Sequence, residues 1–269
     1  MAVLTGAAGG IGGALARRLA AEGAALALAD LDGAALARVA RGLAEEGCEV
    51  SAHEVDVSEA GRVGEFAREV ERRHGRADVL INNAGVALIG DVEEVSLADI
   101  EWVMGVNFRG VVHGVKHFLP LLRRQPRSYL VNVSSIFGVV APPGHAAYCA
   151  SKFAVRGFTE ALRHELEGTG VRVSCVHPGG VRTGIARAAR AGSDAAPGKR
   201  EREAERFERL AVTTPERAAE RIVAGMLRGE PRILVGRDAS QIDLIQRLLP
   251  SRYWRVLEPI VERRTGRKM

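Results

Sequence analysis

Short, almost unbroken apolar runs alternate along this chain with longer stretches in which apolar residues recur every three or four positions. "AVLT" at 2–5 leads into a helical pattern over about 10–22, "ALALA" at 25–29 into one over about 33–46, and "CEVSAHEV" at 48–55 into one over about 59–73. "DVLI" at 78–81 precedes a long helical stretch from about 96 to 123, and "YLVNV" at 129–133 precedes a helix over about 146–168. "VRVSCV" at 171–176 is followed by a charged segment. A helix over 215–228 then feeds "RILV" at 232–235, and a last helix is expected near 238–249. Strands that are apolar on both sides need cover on both faces, whereas a sheet with one wet face would alternate apolar and polar residues. The pattern predicts an α/β fold, a doubly wound parallel sheet of about seven strands with helices on both faces. Connections are short and no change of composition marks a linker, so residues 1–269 read as one domain.

Composition narrows the function. The chain is 46% hydrophobic and 26% charged, with a net charge of +5 spread among interleaved acids and bases and only 4% aromatic residues. A nucleic-acid binder would carry a basic stripe with stacking aromatics, so that class is set aside. Cys48, Cys149 and Cys175 are odd in number and show no C-x-x-C spacing. That usage fits reduced thiols in a cytoplasmic compartment better than a disulfide framework or a zinc site. No apolar run approaches the roughly 18 residues of a membrane span, and no basic n-region precedes an apolar stretch, so a cytoplasmic location is expected. Asn132-Val133-Ser134 matches a glycosylation sequon but lies in an apolar run, and it is discarded.

"VLTGAAGGIGGALA" joins the first strand to the first helix. Its Gly6, Gly10 and Gly12, with Ile11 between the last two, allow a tight turn and let backbone N–H groups approach a pyrophosphate at the helix N-terminus, where the dipole favours negative charge. The second strand ends at Asp30, 18 residues past Gly12. An acid there is placed to accept hydrogen bonds from an adenosine ribose and to repel a 2′-phosphate. The plain alternative is a helix N-cap, a role that Asp32 could fill instead.

With the glycine loop, "NNAG" at 82–85, "NVSS" at 132–135 and "YCASK" at 148–152 in this order, the sequence resembles the short-chain dehydrogenase/reductase family, of the compact single-domain type. Each motif is weak alone; together, on the expected elements, they are specific. The resemblance covers residues 3 to about 236 and implies a Rossmann-type domain that transfers a hydride between a nicotinamide and an alcohol or carbonyl. It implies Tyr148 as general acid/base, Lys152 as its partner, Ser135 as the group holding the substrate oxygen and Asn107 as support for the proton relay. It also implies that Asp56 and Val57 flank the adenine, that Asn83, Ala84 and Gly85 pack beside the adenosine half, and that Pro178, Gly179, Val181 and Thr183 run along the nicotinamide. No residue of the catalytic set departs from the family pattern.

The chemistry can be reasoned independently. Tyr148 and Lys152 are four apart, so on a helix they share a face. A tyrosine titrates near 10, and lowering it to about 7 requires roughly 4 kcal/mol. A lysine charge ~4 Å away at an effective dielectric of ~20 supplies about that much. Ser135 then orients a carbonyl or alkoxide rather than attacking it. The alternatives are a surface pair for Tyr148 and Lys152 and a turn cap for Ser134-Ser135. A serine hydrolase is excluded because "NVSSIFG" has no glycine two residues before either serine. His113 and His117 share a helix face but lack a third ligand, so no metal is expected. His145 reads as a loop histidine that could touch substrate, and Cys149 as packing, about 100° around the helix from Tyr148.

Between Ser135 and Tyr148 lie Ile136, Phe137, Val139, Val140, Pro142 and Pro143, so a pocket lined there, with Phe137 against the substrate, favours a lipophilic secondary alcohol or ketone. "KREREAERFERLAV" at 199–212 has helical period, with Phe207 and Leu210 as an apolar edge, and residues 183–212 read as a lid over the site. The C-terminal extension from 238 to 269, with Leu248, Leu249, Tyr253, Trp254, Leu257 and Ile260 among arginines, reads as packing on its own domain or a neighbouring subunit; peripheral membrane contact is the alternative. A homodimer or homotetramer is expected by resemblance. NAD is the expected cofactor, with NADP as the alternative. The competing functions are an NADPH-dependent carbonyl reductase of the same fold and a dinucleotide-binding protein without turnover.

Overall fold

The computed structural model describes residues 1–265. The first half runs β1 (Ala2–Thr5), α1 (Gly10–Ala21), β2 (Leu26–Asp30), α2 (Gly33–Glu45), β3 (Val50–Glu54), α3 (Ala60–His74) and β4 (Val79–Asn82). A short strand β5 (Leu88–Ile89) follows, then α4 (Leu97–Met104), α5 (Gly110–Arg123), β6 (Ser128–Val133), α6 (Ala146–Glu165) and β7 (Val171–Pro178). The chain continues through β8 (Arg190–Ala191), α7 (Lys199–Leu210), α8 (Pro215–Leu227), β9 (Arg232–Val235), α9 (Arg237–Leu248) and α10 (Tyr253–Thr265). Seven strands pair in parallel in the order β3-β2-β1-β4-β6-β7-β9, which is the doubly wound sheet the apolar runs predict.

Neighbouring residues of each strand point to opposite faces, and both faces are dry. Leu4, Leu26, Leu28, Ile81, Val131 and Val176 meet α1, α2 and α8 on one side. Val3, Ala27, Leu80, Leu130 and Val173 meet α3, α5 and α6 on the other. There Phe66 and Phe118 pack edge to face, with ring centroids 5.3 Å apart. Strand order reverses between β1 and β4, and in such sheets the crevice beyond the carboxyl ends at the reversal takes the ligand. The Gly loop after β1, the NNAG segment after β4 and the NVSS segment after β6 all emerge at that end.

Three features depart from the sequence expectation. The helix foreseen over 96–123 contains a π turn, Gly105–Arg109, between α4 and α5. Its extra residue is invisible to a 3.6-residue period, and it turns Asn107 fully inward. A small parallel pair, β5 with β8, ties residues after NNAG to the segment after β7. Strands of two residues are too short to leave a periodic signal. Beyond α9 the chain forms a further helix, α10, whose Leu257 is buried with Ile136, Val139, Val140 and Ala239 in a separate cluster over the site. The extension therefore packs on its own chain. Leu248 and Ile260 nonetheless remain exposed, and the final four residues of the foreseen extension, 266–269, lie outside the described residues. No described helix is long and apolar enough to cross a membrane.

Candidate active site

The glycine loop is built by close approach. An added Cβ at Gly12 would sit 1.8 Å from the Gly6 carbonyl oxygen, so only glycine lets the first turn of α1 rest against the end of β1. Gly6 has φ +66, and a Cβ there would lie 2.7 Å from the Ala84 Cα. The NNAG segment is sewn to this loop. The Asn83 amide donates to the carbonyls of Thr5 (3.1 Å) and Gly6 (3.0 Å), while the Thr5 hydroxyl accepts from the backbone N–H groups of Asn83 and Ala84. Gly10 lies against Thr183, whose Cγ2 would be 3.2 Å from a Cβ at Gly10. α1 begins at Gly10 with no side-chain cap, leaving its first-turn N–H groups facing the loop. A cradle this close, opening on a helix N-terminus, fits the diphosphate of a dinucleotide.

Asp30 ends β2, and its carboxylate accepts from Ala8 N (2.8 Å) and from Asp32 N (3.1 Å). The helix cap foreseen as an alternative for Asp30 belongs to Asp32, which accepts from Ala35 N at 2.8 Å. A carboxylate offers about four lone-pair sites. Asp30 therefore braces the glycine loop and keeps acceptor capacity for a ribose. Asp56 is occupied locally, accepting from the Ser58 N–H and hydroxyl. The Val57 carbonyl accepts from His113 Nδ1 at 2.9 Å, so one histidine of the i, i+4 pair is spent on backbone. His117 packs beside Gly64.

Motif residues split between bracing and chemistry. Asn82 donates to Asn132, which donates to Thr159, forming a buried ladder from β4 through β6 to α6. The Ser134 hydroxyl donates to the Lys152 carbonyl at 2.8 Å, anchoring α6 beside β6. Ser135 caps the 3-10 turn Ile136–Gly138, accepting from Phe137 N at 3.0 Å, the turn cap foreseen as its alternative role, and its side chain lies close enough to Tyr148 to favour the phenolate. Asn107 is held from both sides. Its amide donates to the Val86 carbonyl and the Ser151 hydroxyl, each at 3.0 Å, and its oxygen accepts from Val86 N at 2.8 Å. Ser151 in turn donates to the Tyr148 carbonyl. Gly85 lies between them, with Asn107 Oδ1 and Lys152 Nζ each 3.2 Å from where its Cβ would be.

Lys152 is buried, donates to the Val133 carbonyl at 3.2 Å and stands 5.9 Å from the centre of the Tyr148 ring. Burial pushes this lysine down to about 8. It pushes Tyr148 up to about 12, opposed by the Ser135 hydrogen bond. Tyr148 is half-buried by exposed area, yet the cavity walls surround it. This corrects the simple arithmetic from sequence, in which the lysine acts on the tyrosine without burial. In the folded chain desolvation acts against both charged forms.

Tyr148 and Ser135 open into a cavity of about 240 Å³, bounded by Ile136, Phe137 and Val140, by His145, and by residues of α7, α9 and α10. The apolar edge Phe207 and Leu210 faces it, as do Trp254 and Leu257. Four participants went unread in the sequence. Glu203 and Arg206 of α7 and Arg264 of α10 line the cavity, hidden in runs of charge that look like solvated surface. His177 is fully buried just before Pro178, with Nδ1 3.0 Å from the Ser135 carbonyl oxygen, and burial lowers it to about 4. Its neutral ring fixes the backbone that carries Ser135. Only its place next to Pro-Gly hinted at this. Pro178 closes β7; at Gly179 a Cβ would lie 2.2 Å from Asp238, and Val181 bridges to Thr213. Cys149 is buried among packing side chains.

A family model described as short chain dehydrogenase matches residues 1–194. The oxidoreductase SadH of Mycobacterium tuberculosis is 43% identical over 261 residues, covering 96% of this chain and 93% of that protein. Meso-2,3-butanediol dehydrogenase of Serratia marcescens is 41% identical over 183 residues, 68% of this chain and 72% of that one. Among solved structures, a short-chain dehydrogenase/reductase from Burkholderia phymatum in complex with NAD superposes with a TM-score of 0.86 at 33% identity, covering 93% of each chain.

Proposed function

Because the chain belongs to the short-chain dehydrogenase family, we propose that it is an NAD-dependent oxidoreductase interconverting a secondary alcohol with an apolar body and the corresponding ketone. The observation that carries this reading is the meeting of Ser135 and Tyr148 at the wall of an apolar cavity, with Lys152 and Asn107 directly behind. When bound, the nicotinamide supplies the acceptor or donor of a hydride. Gly6, Gly10, Ile11 and Gly12 would hold the diphosphate, Asp30 the ribose, and Asp56, Val57, Asn83, Ala84 and Gly85 the adenosine side. Pro178, Gly179, Val181 and Thr183 would flank the nicotinamide. Ser135 holds the substrate oxygen by a hydrogen bond, and Tyr148 removes or returns its proton. Lys152 supplies positive charge behind the tyrosine, and Asn107 ties the π turn to the Val86 backbone and to the Ser151 hydroxyl of α6. Walls of Ile136, Phe137, Val140 and Trp254 exclude water and reward apolar substrate surface. A small-molecule substrate and a homo-oligomer, dimer or tetramer, complete the proposal, with the cytoplasm as its location.

Incubating the protein with NAD and a panel of secondary alcohols, while following nicotinamide absorbance, tests this. Apolar-bodied alcohols are expected to be oxidised, and faster than sugar alcohols of similar size. Absence of reduction with every alcohol, or a preference for the sugars, sinks the reading.

The 183–212 segment is proposed as a lid. Within α7 only Ala204 is buried. The helix is otherwise fastened by Lys199 to Asp91 and Glu94, by Arg187 to Glu208, and by Arg209 to the Thr265 carbonyl. Such ion pairs at the surface contribute at most about 1 kcal/mol each, so the helix can lift without disturbing the sheet. Trypsin has many sites in this segment. Cleavage there is expected to slow several-fold when NAD and an alcohol are both present; equal cleavage in both conditions rules the lid out.

A further inference from the structure

The cavity beside Tyr148 is apolar over most of its wall, yet α7 brings one guanidinium to its lining in an unusual condition. Arg206 has only 16% of its side chain exposed, its Nη1 is 3.7 Å from a Glu203 oxygen, and its Nη2 is buried without any hydrogen-bond partner. Arginine stays charged and presents five N–H donors in a planar fork. A buried charged donor left unpaired is costly, which is why such groups are almost always found paired. At 3.7 Å the Glu203 contact is an ion pair without a good hydrogen bond. The fork therefore has donors to spare, and they adjoin the cavity. Arg264 of α10 lines the same cavity from its exposed rim, and no carboxylate pairs with it among the described residues. α7 and α10 thus bring two guanidinium groups and the Glu203 carboxylate to the lining.

Asp238 brings charge of the opposite sign to the lining. Asp238 lines the cavity next to Gly179 and Gly180; one of its oxygens accepts from Gly180 N at 2.6 Å and the other is buried without a partner. An anion placed there would meet a carboxylate already short of donors. His145, also in the lining, has its pKa lowered by burial and is bonded to the Pro143 carbonyl. It offers an anion no charge. The electrostatics thus set a direction along the cavity, with negative charge disfavoured beside Gly179-Gly180 and favoured at α7 and α10.

We propose that Arg206, with Arg264 at the rim, binds the carboxylate of an amphiphilic substrate. The substrate's aliphatic body fills the apolar middle and its secondary hydroxyl reaches Ser135 and Tyr148. The substrate class is an aliphatic hydroxy acid, or its oxo acid, whose carboxylate is remote from the reacting carbon. This refines the alcohol dehydrogenase reading and rests on it. Arg206 is a specificity-determining residue remote from the chemistry, so its contact is made equally in ground and transition states and appears in KM rather than kcat.

The test compares hydroxydecanoate, bearing its hydroxyl on the carbon next to the terminal methyl, with its own methyl ester. The wild type is expected to favour the free acid in kcat/KM by about fivefold or more, carried by KM, as a charge-assisted hydrogen bond partly open to solvent provides. In Arg206→Met the ratio should fall toward unity, and Arg206→Lys should keep part of it. Glu203→Gln should raise it, because the competing carboxylate is gone; a purely structural role for Arg206 predicts no such rise. Should Arg206→Met fail to fold, the direction of the Glu203→Gln change decides. A wild-type ratio near one, or one that survives in Arg206→Met, overturns the proposal. If no alcohol is oxidised at all, it is the dehydrogenase reading that fails, and calorimetry with the unreactive probes decanoate and decanol judges the site by itself. Tighter binding of decanoate that is lost in Arg206→Met supports it, and equal binding of the two probes refutes it.

Discussion

Tyr148→Phe is expected to lower kcat by about 10²–10⁴-fold, the usual contribution of a positioned general acid or base, while NAD binding measured by calorimetry stays close to that of the wild type. The ring stays in place, so its contact with Phe137, 6.1 Å between centroids, is preserved and only the hydroxyl is lost. That hydroxyl opens on the cavity beside Ser135, whose side chain favours the phenolate. The sign of the pH dependence follows from its role. Alcohol oxidation needs tyrosinate, so its rate rises with pH; ketone reduction needs the protonated phenol, so its rate falls. Burial holds Tyr148 up to about 12 and Lys152 down to about 8, and the rise should therefore extend across the alkaline range as a property of the pair. In Tyr148→Phe the residual rate should be flat over that range. Near wild-type turnover by a folded, NAD-binding variant would remove Tyr148 from the reaction.

The parallel sheet was legible because its strands are dry on both faces, as Val3 and Leu4 illustrate by entering opposite cores. The grouping of Ser135, Tyr148 and Lys152 was legible because its spacing is local: Tyr148 and Lys152 share α6, and Ser135 is held one loop away. Cooperation between distant segments was not legible. Nothing around Asn83 announces that its amide reaches back to Thr5 and Gly6, and nothing around His177 announces the Ser135 carbonyl. The cavity's far wall was hidden for another reason. Arg206 and Glu203 sit in a run of charge whose helical period suggests a solvated face, and only the packing of α10 over α7 and α9 turns that face inward. The burial of Lys152 likewise arises from α6 packing on β6, not from any local pattern, so the sequence arithmetic for Tyr148 missed its largest opposing effect.

The preference between cofactors should be set at Asp30, with kcat/KM for NAD exceeding that for NADP by at least about tenfold, equivalent to ~1.4 kcal/mol. A 2′-phosphate carries nearly two negative charges, and at an effective dielectric of ~20 each like charge at about 4 Å costs roughly 4 kcal/mol. Asp30 is only half-buried, so solvent and salt reduce that figure substantially, which is why the expected ratio is far smaller than the bare sum. The positions beside Asp30 that could carry an offsetting basic side chain carry none. Leu31 follows the aspartate and is largely exposed, Gly9 offers no side chain, and Arg18 is paired with Glu22 further along α1. Because Asp30 also accepts from Ala8 N, truncation to alanine would orphan that N–H and loosen the loop itself. Asp30→Asn keeps one carbonyl oxygen for Ala8 and removes the charge, giving up only the acceptor of the Asp32 N–H. It should narrow the NAD-to-NADP ratio several-fold, partly by weakening NAD through the lost ribose acceptor and partly by relieving NADP. Asp32→Ala provides the contrast: it deletes the α2 cap at Ala35 and should cost about 1 kcal/mol of stability while leaving the ratio unchanged. Equal use of both cofactors by the wild type, or a ratio that responds to Asp32 and not to Asp30, would mean that the carboxylate at the end of β2 serves only to brace the loop.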